Sequence, residues 1–236
     1  IVMYQPAANS TSIFTIGDSS PTATGTATAS TIAATTGSTR QGSAGRVEYA
    51  VTSATTSAIG GWRQTQLSYH LGGSEHGGGF MFVHDFGIGR GNASAATRRI
   101  YCGLHSGVAA PSDANPSGGV ANVLGVGCDS TDTNLQFMHR TGTGTAVKYD
   151  LGASFPKDPG GDNISYYRFF MINDYQSANV YFCLIDLNNG SMASYTATSD
   201  VPASSTMLGY RSWASVGGTS SVIGMMLMRF YSEQYY

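Results

Sequence analysis

The five histidines, His70, His76, His84, His105 and His139, are the first place to look for metal or acid–base chemistry. His70, His76 and His84 would converge on a metal if the strands carrying them pair, and Asp85 could orient one ring. The simpler reading, satisfied or exposed histidines on adjacent strands, is preferred, and no metal or cofactor is expected. Asp129-Ser-Thr-Asp132-Thr-Asn134 is rich in oxygen but lacks the ligand alternation and central glycine of a calcium loop. A turn entering a strand at Leu135 is expected there instead. Glycan hydrolysis needs two carboxylates facing one cleft. The glutamates are Glu48, Glu75 and Glu233, near turns, strand ends or the terminus. Aspartates such as Asp113, Asp158 and Asp162 stand in turn contexts, where the carboxylate bonds its own backbone. Neither a Gly-x-Ser-x-Gly elbow nor a His-Glu-x-x-His zinc motif occurs. Gly87-Ile-Gly89-Arg-Gly91 imitates a phosphate loop, but too few residues follow for the helix such a loop needs, so a hairpin turn is expected. The chain reads as a binding domain rather than an enzyme.

Carbohydrate contact is the chemistry its residues suit best. A sugar's apolar face packs on a flat aromatic ring while short polar side chains bond its hydroxyls. Trp62 with Tyr69, and Tyr210, Arg211 and Trp213 ahead of Gly217-Gly218, are the candidate contacts. The competing role for these rings is a sandwich core or a subunit seam.

Strands must position them. Arg46–Thr52, Trp62–Leu71 (polar enough for a surface strand), Phe80–Phe86 and Arg98–Leu104 read as strands. So do Asn122–Gly127, Leu135–His139, Ala146–Leu151, Ile164–Ile172, Val180–Asp186, Ser194–Thr198, Met207–Trp213 and Val222–Tyr231. Asn189-Gly190 is the sharpest hairpin signal. Helical periodicity with caps is missing, and no fixed-period repeat is visible. About a dozen strands at this spacing predict an all-β sandwich or jelly roll.

Composition agrees. Only 11% of residues are charged while glycine numbers 31, which suits many tight turns and a surface wetted by hydroxyls. With Lys148 and Lys157 the only lysines and a net charge of −2, no cationic stripe for nucleic acid exists. Val222–Met228 is too short to span a bilayer. No signal peptide opens the chain, and its start at Ile1 points to a fragment or processed product. Cys102, Cys128 and Cys183 are odd in number and widely spaced, so buried free thiols are expected, which suits a reducing compartment. Residues 1–20 read as a connecting segment and 21–236 as one domain. The alternating threonines after Pro21 are compatible with either a linker or an extended edge.

The block Val126-Gly-Cys-Asp-Ser-Thr-Asp-Thr-Asn-Leu-Gln-Phe-Met-His139, with Gly142-Thr-Gly-Thr145 and Lys148-Tyr-Asp-Leu-Gly-Ala-Ser-Phe-Pro156, resembles a module of bacteriophage virion proteins. That module often lies at the C-terminus of tail-fibre or appendage proteins. Pro21–Ala29, Tyr49–Ser57, Asp186–Gly190 and Arg229–Gln234 extend the resemblance over most of the chain. It implies a concanavalin-like lectin jelly roll on the exterior of a virion, often a homotrimer, with other virion proteins and a host cell-surface polysaccharide or receptor as partners. It also implies an ordered opening segment, and it brings no catalytic residues. The rival expectations are a structural decoration or adaptor domain and, third, a glycan depolymerase. The glycine-rich stretch Gly72–Gly79 has no counterpart in the module.

Overall fold

The computed structural model of the chain describes residues 2–4, 22–25, 28–32, 46–73, 77–88, 97–158 and 165–235. Strands dominate them, because β-branched and aromatic residues recur at alternate positions between glycine and proline turns. The eight-stranded sheet runs, in spatial order, β13 (Met192–Ala197), β12 (Val180–Asp186), β11 (Ser165–Asn173), β6 (Phe80–Ile88), β15 (Ser221–Gln234), β4 (Arg46–Thr55) and β3 (Thr28–Ile32). Its eighth strand, β1 (Val2–Tyr4), pairs with β15. The seven-stranded sheet runs β10 (Val147–Asp150), β9 (Gln136–Arg140), β8 (Val123–Cys128), β7 (Arg99–His105), β14 (Gly209–Ser215), β5 (Ile59–Arg63) and β2 (Thr22–Gly25). Every ladder is antiparallel. A single helical turn, α1 (Pro116–Gly119), is the only helix among the described residues.

The two sheets face each other across an aromatic core. Alternation on β6 points Phe80, Phe82, His84 and Phe86 inward, and all are fully buried. From the opposite sheet Tyr210 meets Phe82 at a ring distance of 4.9 Å, and Trp62 meets Phe230 edge-on at 5.7 Å. The register of β15 shifts between Leu227 and Arg229. This bulge absorbs Met228, so Leu227 and Phe230 both remain in the core while Arg229 and Tyr231 face outward.

Most expected strands are present with ends moved by a few residues. The hairpin at Asn189-Gly190 joins β12 to β13, with Gly190 at φ +81° and its N–H donating to Asp186 O at 2.8 Å. The alternating threonines form β2 and β3, each an outer strand of its sheet. One expectation needs correcting. Trp62–Leu71 is not a surface strand: β5 ends at Arg63, its Trp62 is wholly buried, and the chain beyond runs as an irregular segment. Val2–Tyr4, within the expected connecting segment, pair with Phe230–Ser232 of β15, where β4 no longer reaches. Residues 5–21 lie outside the described residues.

Candidate functional site

The residues singled out as glycan contacts all lie inside. Trp62 and Tyr210 sit on the inner faces of β5 and β14, packed on each other at 4.5 Å. Tyr69 is buried and donates its hydroxyl to Ser232 Oγ at 2.7 Å. Arg211 and Trp213 face outward on β14, but the segment after β7 lies over them. Arg211 Nη2 donates to Gly107 O at 3.1 Å and Ala109 O at 2.7 Å, and Trp213 packs with Tyr101, Val123 and Met138 beneath Val120. Trp62, Tyr69, Tyr210 and Trp213 are packed into the structure, while Arg211 lines a small pocket of about 300 Å³ with His105 and the segment that follows β7. The competing reading, aromatic core, is the one the geometry supports.

The histidine trio does not assemble. His84 lies between the sheets, its Nδ1 hydrogen-bonded with the Tyr210 hydroxyl and 3.1 Å from Cys102 Sγ, and burial lowers its pKa to about 3. His70 is at the rim, with Nδ1 3.1 Å from the carbonyl of Leu71. His76 lies outside the described residues. Among the described residues no group of three metal-ligating side chains forms. At Asp129–Asn134 the place of a cation is taken by a lysine: Lys148 Nζ donates to Asp129 Oδ2 at 3.0 Å and Asp132 Oδ1 at 2.7 Å. Ser117 Oγ donates to the same Asp129 oxygen at 2.5 Å. Other carboxylates are similarly committed. Asp113 accepts from Arg99, Ser215 and the Gly217 N–H, and Asp85 is held by Arg168. All three cysteines are free and buried.

The glycine-rich stretch, which has no counterpart in the virion module, contributes Gly72 and Gly73 to the wall of a cleft. Three connections meet at one rim of the sandwich: the irregular run after β5, the β11–β12 turn and the β13–β14 loop. They enclose a cleft of about 500 Å³. Leu71, Val201 and Pro202 give it apolar walls, and Gln176 and Ser204 supply an amide and a hydroxyl. No charged side chain lines it. Its size lies within the range of small-ligand sites.

Asn173 at the end of β11 joins two of the three walls. It is fully buried, accepts the Gly72 N–H at 2.6 Å, and donates to the carbonyls of Ser177 at 2.7 Å and Asn179 at 2.8 Å. Gln176 adopts φ +59° at the tip of this turn, closed by the Ser177 N–H on Asp174 O at 3.0 Å. Glycine is required opposite it, because a Cβ on Gly72 would stand 2.7 Å from Asp174 O and Gln176 N. Gly73 and Gly77 exchange N–H···O bonds of 2.8 and 3.0 Å. Beside the cleft Tyr175 is 53% exposed, its ring edge 3.2 Å from where a Cβ on Gly77 would lie. The signal for this site was in the sequence, as a glycine cluster and an Asp174-Tyr-Gln-Ser177 turn of small and polar residues around one aromatic ring.

No protein-family model matches the chain, and no curated protein sequence is significantly similar to it. Its fold is that of the concanavalin-like lectin jelly roll. Peanut lectin superposes with a TM-score of 0.56 at 10% identity, covering 99% of this chain and 97% of that one. Arcelin-5, a lectin-like defence protein of Phaseolus vulgaris, gives 0.57 at 8% identity, covering 99% and 98%. A protein of unknown function from Shewanella oneidensis gives 0.53 at 14% identity, covering 97% and 85%.

Proposed function

We propose that the chain is a carbohydrate-recognition domain on the exterior of a bacteriophage virion, in a tail fibre or similar appendage, and that it binds host-surface glycan through the rim cleft. The observation that carries the reading is the cleft itself. Apolar walls face a primary amide and a hydroxyl with no ionic group between them, which suits a neutral, hydroxylated ligand. The exposed Tyr175 ring beside it offers a stacking surface for a second sugar unit. The lectin-type fold supports the glycan half of the proposal. The block from Val126 to Pro156 and its flanking matches support the virion half. In that setting the partners are a host cell-surface polysaccharide and neighbouring virion proteins, and the domain acts as a homotrimer, since a fibre axis favours closed symmetry. Binding rather than cleavage is favoured because, among the described residues, Asp85, Asp113, Asp129 and Asp132 are each engaged by an arginine or lysine.

The test is a glycan array that includes bacterial surface polysaccharides, probed with the wild-type domain and with Ala203→Trp, which fills the cleft. Binding to a glycan in the array, weakened at least about tenfold in Ala203→Trp and retained in Trp213→Phe, is expected. Binding unaffected by the filled cleft would move the site elsewhere, and no binding to any glycan would remove the function.

A further inference from the structure

A second site emerges on the outer face of the eight-stranded sheet. The antiparallel registers set Arg168 of β11 opposite Asp85 of β6, and Asp85 opposite Arg229 of β15. Three charged side chains thus stand in one row across three strands, two of them positive. Arg168 takes both Asp85 oxygens in a fork, Nε to Oδ1 at 2.8 Å and Nη2 to Oδ2 at 2.9 Å. Arg229 reaches the same carboxylate only through Nε, at 3.3 Å. Among the described residues its two terminal nitrogens have no partner, although the bulge at Met228 is what brings this side chain to the row. One carboxylate shared by two guanidinium groups leaves an excess positive charge, with the planar fork that suits a carboxylate still open on Arg229.

The next row along the strands is apolar: Phe170, Val83 and Tyr231, with Met81 beyond. These residues and the two arginines line a groove of about 290 Å³. Rows on one face repeat about every 6.6 Å, roughly the width of one pyranose ring. Glu233, farther along β15, accepts the Tyr231 hydroxyl at 2.8 Å and lies outside the groove lining.

We infer that this groove binds a uronic acid residue of an acidic polysaccharide, its carboxylate on Arg229 and its ring face on Phe170 and Tyr231. The charge decides against a neutral sugar, and the apolar row decides against a bare anion. The site shares no lining residue with the rim cleft.

The experiment is calorimetric titration with tetragalacturonate, tetramannuronate and hyaluronan tetrasaccharide, each beside its carboxyl-reduced form, at low and high salt. The wild-type domain is expected to bind at least one acidic oligomer at least about tenfold more tightly than its reduced form, with affinity falling in salt. Arg229→Gln, which leaves the Arg168–Asp85 fork intact, is expected to lose that preference without a change in Tm. Ala203→Trp is expected to keep it, so failure of the cleft and failure of the groove are told apart. Binding to none of the acids, equal affinity for the reduced forms, or an Arg229→Gln variant that binds normally would overturn the inference. So would concentration-dependent self-association abolished by Arg229→Glu, which would put a second copy of the chain on this face.

Discussion

Mild acid should strike this fold through two histidines that it keeps neutral. His84 is enclosed between the sheets, and burial lowers its pKa from 6.5 to about 3. His105, beneath the segment that follows β7, is lowered from 6.5 to about 2 by burial first and then by the Arg211 and Arg63 cations. In the folded chain neither takes a proton until the pH approaches those values, whereas in the unfolded chain both do so below about 6.5. The stability involved is therefore fully present above 6.5 and drains away as the pH falls towards 3 and 2. Each pH unit in that window costs about 1.4 kcal/mol per histidine, so acidification from 6.5 to 4.5 removes about 5 kcal/mol for the two. That is comparable with the entire stability of many domains, about 5 to 15 kcal/mol. Urea unfolding at half-unit steps between pH 7 and 4.5 measures the slope directly. In His84→Gln the slope should fall by about 1.4 kcal/mol per pH unit, whatever constant destabilisation the substitution also brings. An unchanged slope would mean that His84 titrates in the native state, and the packed Trp62–His84–Tyr210 core described above would be refuted.

Two further outcomes follow from the same packing. Asn173→Leu leaves the Gly72 N–H and the Ser177 and Asn179 carbonyls without their partner, so a loss of about 2 to 4 kcal/mol is expected by chemical denaturation. Glycan binding should fall with it, because two cleft walls separate. Burial raises the Cys102 and Cys128 thiols to about 12. Both should therefore resist a disulfide reagent at pH 8 in the native protein and react only on unfolding, which a spectrophotometric thiol count with peptide mapping would show.

The strands were legible in the sequence because their signal is local. Val180–Asp186 was read to the residue, and Asn189-Gly190 marked its hairpin, since alternation and turn chemistry are set by neighbours in the chain. The side-chain roles were not legible, because burial is settled by what lies opposite. Trp62 and Tyr210 look like any exposed aromatic pair until two strands from the other sheet, carrying Phe82 and Phe230, close over them. Trp213 alternates outward as a surface residue should, yet a connection from elsewhere in the chain covers it. The cleft was hidden for the opposite reason. Leu71, Gln176 and Ser204 are remote in sequence, and only the joining of β5, β11 and β14 at one rim brings them together. The Lys148 clamp on Asp129 and Asp132 is not legible in the sequence either, since the lysine stands on β10, beyond the strand that the turn enters.

Amide hydrogen exchange in the presence and absence of saturating amounts of the best-bound array glycan tests the recognition site most directly. Slowed exchange at residues 71–73, 176–178 and 203–204, with the β-sheet cores unchanged, is the predicted result. Protection confined to other loops, or none at saturation, would contradict it.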